Sequence, residues 1–252
     1  MSHYMLEVCV DSVDSALAAQ KAGASRLELC SNLIIGGTTP PLSLIQLVNE
    51  AVTIPFHVLI RPRFGDFCYS PFEFESIKRE IGIAKEHGAS GVVIGILTHD
   101  GELDMERLKI LIDLAKPLHI TLHRAFDVCR DPFKAIEQAK SLGFDTILTS
   151  GQKQTCIQGM SHIKAFVNQA GGQIDILVGS GLNSNTIEQV LKGTGAKAFH
   201  LSGKKEKESP MLYRPEAINM GLPILSEYII FETDWQEIKK VKDILDRIQI
   251  GS

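Results

Sequence analysis

The sequence contains no Cys-x-x-Cys pair and no apolar run longer than a strand, and neither sign of charge dominates it. Its 252 residues carry 26 Lys and Arg against 30 Asp and Glu, a formal net charge of −4. Without a basic field, nucleic acid and anionic membrane surfaces are excluded as primary partners. The longest apolar runs, such as Gly91–Leu97, fall far short of the roughly 20 residues a membrane-spanning helix needs. The stretch Met1-Ser2-His3-Tyr4-Met5-Leu6-Glu7 lacks the basic and unbroken apolar segments of a secretory leader. Five cysteines, Cys9, Cys30, Cys68, Cys129 and Cys156, are odd in number and widely spaced. That pattern speaks against a disulfide scaffold and against a zinc site of short ligand spacing. Reduced thiols in a cytosolic protein are the expectation.

What is present is a repeat of short apolar runs. Met5–Val10, Arg26–Cys30, Pro55–Arg63, Gly91–Leu97, His119–Asp127, Thr146–Ser150, Asp175–Gly181 and Ala198–Gly203 each read as a strand. Between them lie stretches of helical period with helix punctuation. Asp11 or Ser12 can cap a helix that stops at Gly23. Pro71 opens one with Ile77, Ile81 and Ala84 on one face, and Asp131-Pro132 opens another that ends at Gly143. Strand and helix in alternation predict parallel strands with right-handed crossovers. The first strand is followed by Val10-Asp11-Ser12-Val13, with no Gly-x-Gly-x-x-Gly, so an open dinucleotide-binding sheet is disfavoured. The spacing and length predict a single (β/α)8 TIM barrel over residues 1–252. Its least regular part, 203–233, holds the charged run Lys204–Glu208 and reads as a solvated loop before a last amphipathic helix near Asp234–Ile248.

The strands carry ionisable residues where a barrel normally takes Val, Ile and Leu. Side chains alternate in and out along a strand. Glu7 and Cys9 therefore share a face, as do Glu28 and Cys30, Arg61 and Arg63, and His200 and Ser202, while His123 and Asp127 lie toward the end of the fifth run. All are expected to converge on the C-terminal mouth, where barrels carry their chemistry. A polar network that only holds the barrel together is the competing reading. Cys9 and Cys30 occupy equivalent positions on neighbouring strands, and two thiolates suit Cu(I), though a buried cysteine also serves as a small apolar side chain. Cys68, Cys129 and Cys156 read as structural. Val178-Gly179-Ser180-Gly181 and His200-Leu201-Ser202-Gly203 end strands where a phosphate cradle or a tight turn can form.

Several motifs are more specific. Leu6-Glu7-Val8-Cys9-Val10-Asp11-Ser12, Arg26-Leu27-Glu28-Leu29-Cys30, Gly36-Gly37-Thr38-Thr39-Pro40, Ile60-Arg61-Pro62-Arg63-Phe64-Gly65-Asp66-Phe67, His123-Arg124-Ala125-Phe126-Asp127 and Ser209-Pro210-Met211-Leu212-Tyr213-Arg214 together resemble the CutC copper-homeostasis family. The resemblance implies a TIM barrel, a cytoplasmic and also nuclear location, a dimer or tetramer, and one Cu(I) per subunit held by Cys9 and Cys30. Phe64 stands where the family has glycine, so the loop over the mouth is expected to differ in shape.

Two functions follow as expectations. The first is copper homeostasis, with Cu(I) on Cys9 and Cys30. The second is an enzyme acting on a small anionic metabolite, with Arg61, Arg63, His200 and Ser202 binding substrate and Glu7, Glu28, His123 or Asp127 moving protons. Phe64 and Phe67 would cover the mouth, and Phe72 and Phe74 would meet the helix layer or a second subunit.

Overall fold

The structure, a computed structural model, describes residues 4–215, 218, 220 and 225–250. Eight short strands form a closed parallel barrel in sequence order: β1 Met5–Val10, β2 Arg26–Leu29, β3 Phe56–Leu59, β4 Gly91–Ile94, β5 His119–Leu122, β6 Thr146–Thr149, β7 Asp175–Val178 and β8 Ala198–Leu201. Parallel neighbours need long crossovers, and helices supply them: α1 Val13–Lys21, α2 Leu42–Ala51, α3 Pro71–Glu86, α4 Met105–Ala115, α5 Pro132–Leu142, α6 Met160–Ala170 and α7 Ile187–Thr194. The expected fold class is therefore what forms.

The helix boundaries follow the expected punctuation. The Ser12 side chain accepts from Ser15 N–H to open α1. Ser70 and Glu73 make a reciprocal capping box ahead of Pro71, and Asp131 caps α5, which ends on Gly143 at φ 89°. Each cap satisfies backbone donors that the first turn leaves free.

The main core lies between barrel and helices. Leu6, Val8, Val10, Leu27 and Leu29 point outward into it and are completely buried. Inside the barrel, Cys9, Cys30, Leu59 and Val93 form one apolar cluster and Leu148, Leu177 and Ala198 another. Polar side chains fill the remaining interior.

The strands after β1 stop short of their expected runs, β3 and β5 by the most. In the β3 run, Arg61 N–H turns to Thr39 Oγ1 and Thr39 N–H to the Arg61 carbonyl, and Pro62 has no N–H to extend a ladder. In the β5 run, His123 caps a 3-10 turn over Arg124–Val128 by accepting from Ala125 N–H. Arg61, Arg63, His123 and Asp127 thus sit on loops beyond the strands. The charged run is also not a loop: it is β9, Lys204–Glu208, paired antiparallel with β10, Ile229–Thr233. Its side chains are exposed as expected, and it is held by Lys207 and Lys205 reaching Glu232 across the ladder. Residues 216, 217, 219 and 221–224 of the expected loop lie outside the described residues. The last helix, α8, spans Trp235–Ile250.

Replacing Ser70 with Ala removes one half of the α3 capping box and should cost about 1 kcal/mol of stability, read as a lower urea midpoint. An unchanged midpoint would show that packing of α3 alone sets its start.

Candidate metal and ligand site at the barrel mouth

Strand register decides which inward side chains meet. Glu7 lies beside Arg26 on β2 and His200 on β8. Cys9 lies beside Glu28, and Glu28 beside His57 on β3. Glu7 is fully enclosed: one carboxylate oxygen accepts from Arg26 Nε, and the other is 2.8 Å from His200 Nδ1. Burial alone would raise its pKa, but the Arg26 charge and the His200 hydrogen bond outweigh burial and hold the carboxyl far below the usual range. In His200, burial disfavours the charge, yet the carboxylates of Glu28 and Glu7 win and raise its pKa. His57 lies 4.0 Å from Glu7 but is pushed down to about 3 by burial and by Arg26.

The next inward residue of β1 begins the thiol cluster. Cys9 Sγ donates to Glu28 Oε2 at 3.1 Å and lies 3.6 Å from Cys30 Sγ. His200 Nε2 is 3.9 Å from the same Glu28 oxygen. The Cys30 contact and burial raise the Cys9 thiol well above its ordinary pKa, and burial raises Glu28 as well, against the pull of His200. Gly37, at φ 84°, closes over Cys30: a Cβ there would meet Leu59 at 2.7 Å and the Cys30 Cβ at 3.4 Å. Only glycine allows the loop so near the thiol.

These residues suit a soft metal ion. Cys9, Glu28 and His200 offer sulfur, oxygen and nitrogen atoms all within 4.8 Å of one another. Cys9 and Cys30 are also close enough to share an ion, since two metal–thiolate bonds of about 2.3 Å, the zinc value, span at most about 4.6 Å. Sulfur and imidazole donors favour copper or zinc over hard cations.

A cavity of about 590 Å³ opens above the cluster. Cys9, Glu28 and His200 line it, together with Arg61, Phe67, His123, Ser180, Gly181, Ser202 and Lys204. Glu28 and His200, both with raised pKa, can exchange a proton with an occupant. Glu7 has no exposed surface and acts only through its neighbours.

Not every expected residue reaches the mouth. Arg63 turns outward, where Glu73 and Asp66 hold its guanidinium at 2.5 and 3.0 Å. Asp127 accepts from Thr149 Oγ1, Ser150 and Gln152 N–H and Arg124 Nε, which clasps the loop after β6. Of the aromatic residues, Phe67 lines the cavity and packs on His123, whereas Phe64 is 65% exposed. Phe72 is exposed at the start of α3, and Phe74 packs against the core beneath Arg107. Arg26 and His57 were not singled out in the sequence, although the alternation that aligns Glu28 with Cys30 and Arg61 with Leu59 places both inward.

Fold and site define a (β/α)8 barrel with a thiol, imidazole and carboxylate cluster under its C-terminal mouth. The sequence model of the CutC family matches residues 4–205, and the chain belongs to that family. A mouse protein described as a copper homeostasis protein cutC homolog is 42% identical over 247 residues, covering 96% of this chain and 91% of its own. The human protein of the same description is 42% identical, covering 98% of this chain and 91% of its own. The solved CutC of Streptococcus agalactiae is 34% identical with a TM-score of 0.76, covering 79% of this chain and 98% of its own. Thiamine phosphate pyrophosphorylase of Pyrococcus furiosus, 15% identical with a TM-score of 0.58 over 98% of each chain, shares the barrel fold.

Arg26→Ala should cost about 3–5 kcal/mol, because Glu7 would keep a buried charge with half its compensation. A loss below about 1 kcal/mol in urea unfolding would show that His200 alone suffices. Acid should weaken the barrel too. His57 and His123 are held at about 3 against an ordinary 6.5, so between those values the unfolded chain binds more protons. Their contribution is complete above 6.5 and is lost as the pH falls through that interval. Glu7, with its lowered pKa, acts in the same direction further into acid, and His200, with its raised pKa, opposes in part. The urea midpoint is expected to drop between about pH 7 and about pH 5. A flat profile would mean that the two imidazoles charge freely in the folded state.

Proposed function

We propose that this protein binds one Cu(I) per subunit in copper homeostasis, with Cys9 and Cys30 as thiolate ligands and Glu28 or His200 as the neighbouring donor. The observation that carries this reading is the 3.6 Å approach of the two sulfurs beside the Glu28 carboxylate and the His200 imidazole. The family's relatives described as copper homeostasis proteins support it. So does the thiol chemistry: the five cysteines are all unpaired, as in a reducing cytoplasm. Cys9 is at the cavity surface, while Cys30 sits behind it under Gly37, so the ion enters past Cys9.

Binding must expel the thiol protons, and the Cys30 contact and burial make that expulsion costly at Cys9. Affinity is therefore expected to increase with pH. Assembly as a dimer or tetramer belongs to the same reading, with Phe72, 88% exposed on α3, as an apolar side chain available to a second copy.

Titration of the reduced protein with Cu(I) against a competing chelator tests the assignment. Cys9→Ser and Cys30→Ser should each weaken binding by more than about a hundredfold, beyond what loss of a supporting residue does. Wild-type affinity in both variants would refute the thiol site.

A further inference from the structure

The cavity has a second wall that the thiol cluster does not use. Arg61 reaches it from the loop after β3 and His123 from the end of β5. Both are buried, with 9% and 4% of their surface exposed. The Arg61 Nη groups donate to the carbonyls of Gly36, Gly37 and Gly65 at 3.3, 3.1 and 2.8 Å. Its Nε–H has no acceptor, and among the described residues no carboxylate pairs with the guanidinium. Carbonyl dipoles compensate a buried charge only in part, so the site carries an unanswered positive charge.

His123 supplies a second free donor. Ala125 N–H donates to Nδ1 at 3.1 Å, which places the ring proton on Nε2. That Nε2–H is buried without a partner among the described residues. The Nδ1–Cε1 edge packs toward Gly95, where a Cβ would stand 2.6 Å away, so glycine leaves room for the ring there. Burial and Arg61 hold the imidazole pKa at about 3, and the ring is a neutral donor throughout the physiological range. Phe67 braces both groups, its ring centroid 4.7 Å from that of His123 and 5.1 Å from the Arg61 guanidinium carbon.

We infer that Arg61 and His123 bind the carboxylate of a small organic anion, at a position in the mouth distinct from the thiol pair. Arg61 and His123 both line the cavity, each with one unpartnered N–H among the described residues, and the single positive charge matches the single negative charge of a carboxylate. A phosphate dianion carries a further oxygen and nearly twice the charge, which these two donors leave unsatisfied. The rest of the anion shares the cavity with Glu28 and His200.

Calorimetry on the full reduced chain with acetate, malonate, succinate and inorganic phosphate tests the inference. At least one carboxylate should bind about tenfold or more tightly than phosphate. His123→Asn retains an acceptor for Ala125 N–H but loses the Nε2 donor, and should weaken that carboxylate about ten- to hundredfold. In the wild type, the His123 Nε2 proton resonance should move on saturation, a readout that does not depend on any variant folding. No carboxylate binding, phosphate binding as tight as carboxylate, or an unmoved His123 resonance would each overturn the inference.

Discussion

The interior of this barrel depends on one buried carboxylate. Glu7 has no contact with solvent, so its charge must be answered inside the protein, by Arg26 on one neighbouring strand and His200 on the other. These partners link β8, β1 and β2, the three strands around the point where the barrel closes. Together with Glu28, the same carboxylate raises the pKa of His200, the imidazole beside Glu28 and Cys9. A structural ion pair below the mouth thus conditions the electrostatics of the site above it.

That site is divided. On the β1–β2 side, the Cys30 contact and burial raise the Cys9 thiol and burial raises Glu28, a donor set that exchanges protons for a soft cation. On the β3–β5 side lie a guanidinium with no counterion among the described residues and a neutral imidazole, whose unpartnered groups are hydrogen-bond donors. One wall suits a cation and the other an anion, and both open on the same cavity. Membership of the CutC family connects the first wall to copper, whereas the second is an inference from unsatisfied donors.

Much of the site was legible because strand alternation is a strict rule. Glu7 with Cys9, and Glu28 with Cys30, face inward as period two requires, and His200 follows on β8. The rule failed where strands ended sooner than their apolar runs: Arg63 and Asp127 lie on loops whose own hydrogen bonds turn them to Glu73 and to Ser150. Arg26 and His57 were legible by the same alternation, but they sit at strand starts, away from the mouth where barrels carry their chemistry.

The sequence by itself determined the fold class, the strand order and the starts of α1, α3, α5 and α8. Local periodicity, caps and glycine stops are written in short stretches of chain, and a parallel barrel is the closed solution for eight such units. Only the tertiary structure decided which polar groups meet. Residues as distant in the chain as Glu7 and His200 become hydrogen-bonded neighbours through the register of the closing β1–β8 pair. Whether a buried donor such as Arg61 Nε or His123 Nε2 is answered depends on every element packed around it. No local pattern encodes that sum, because satisfaction of a buried charge is a property of the assembled interior.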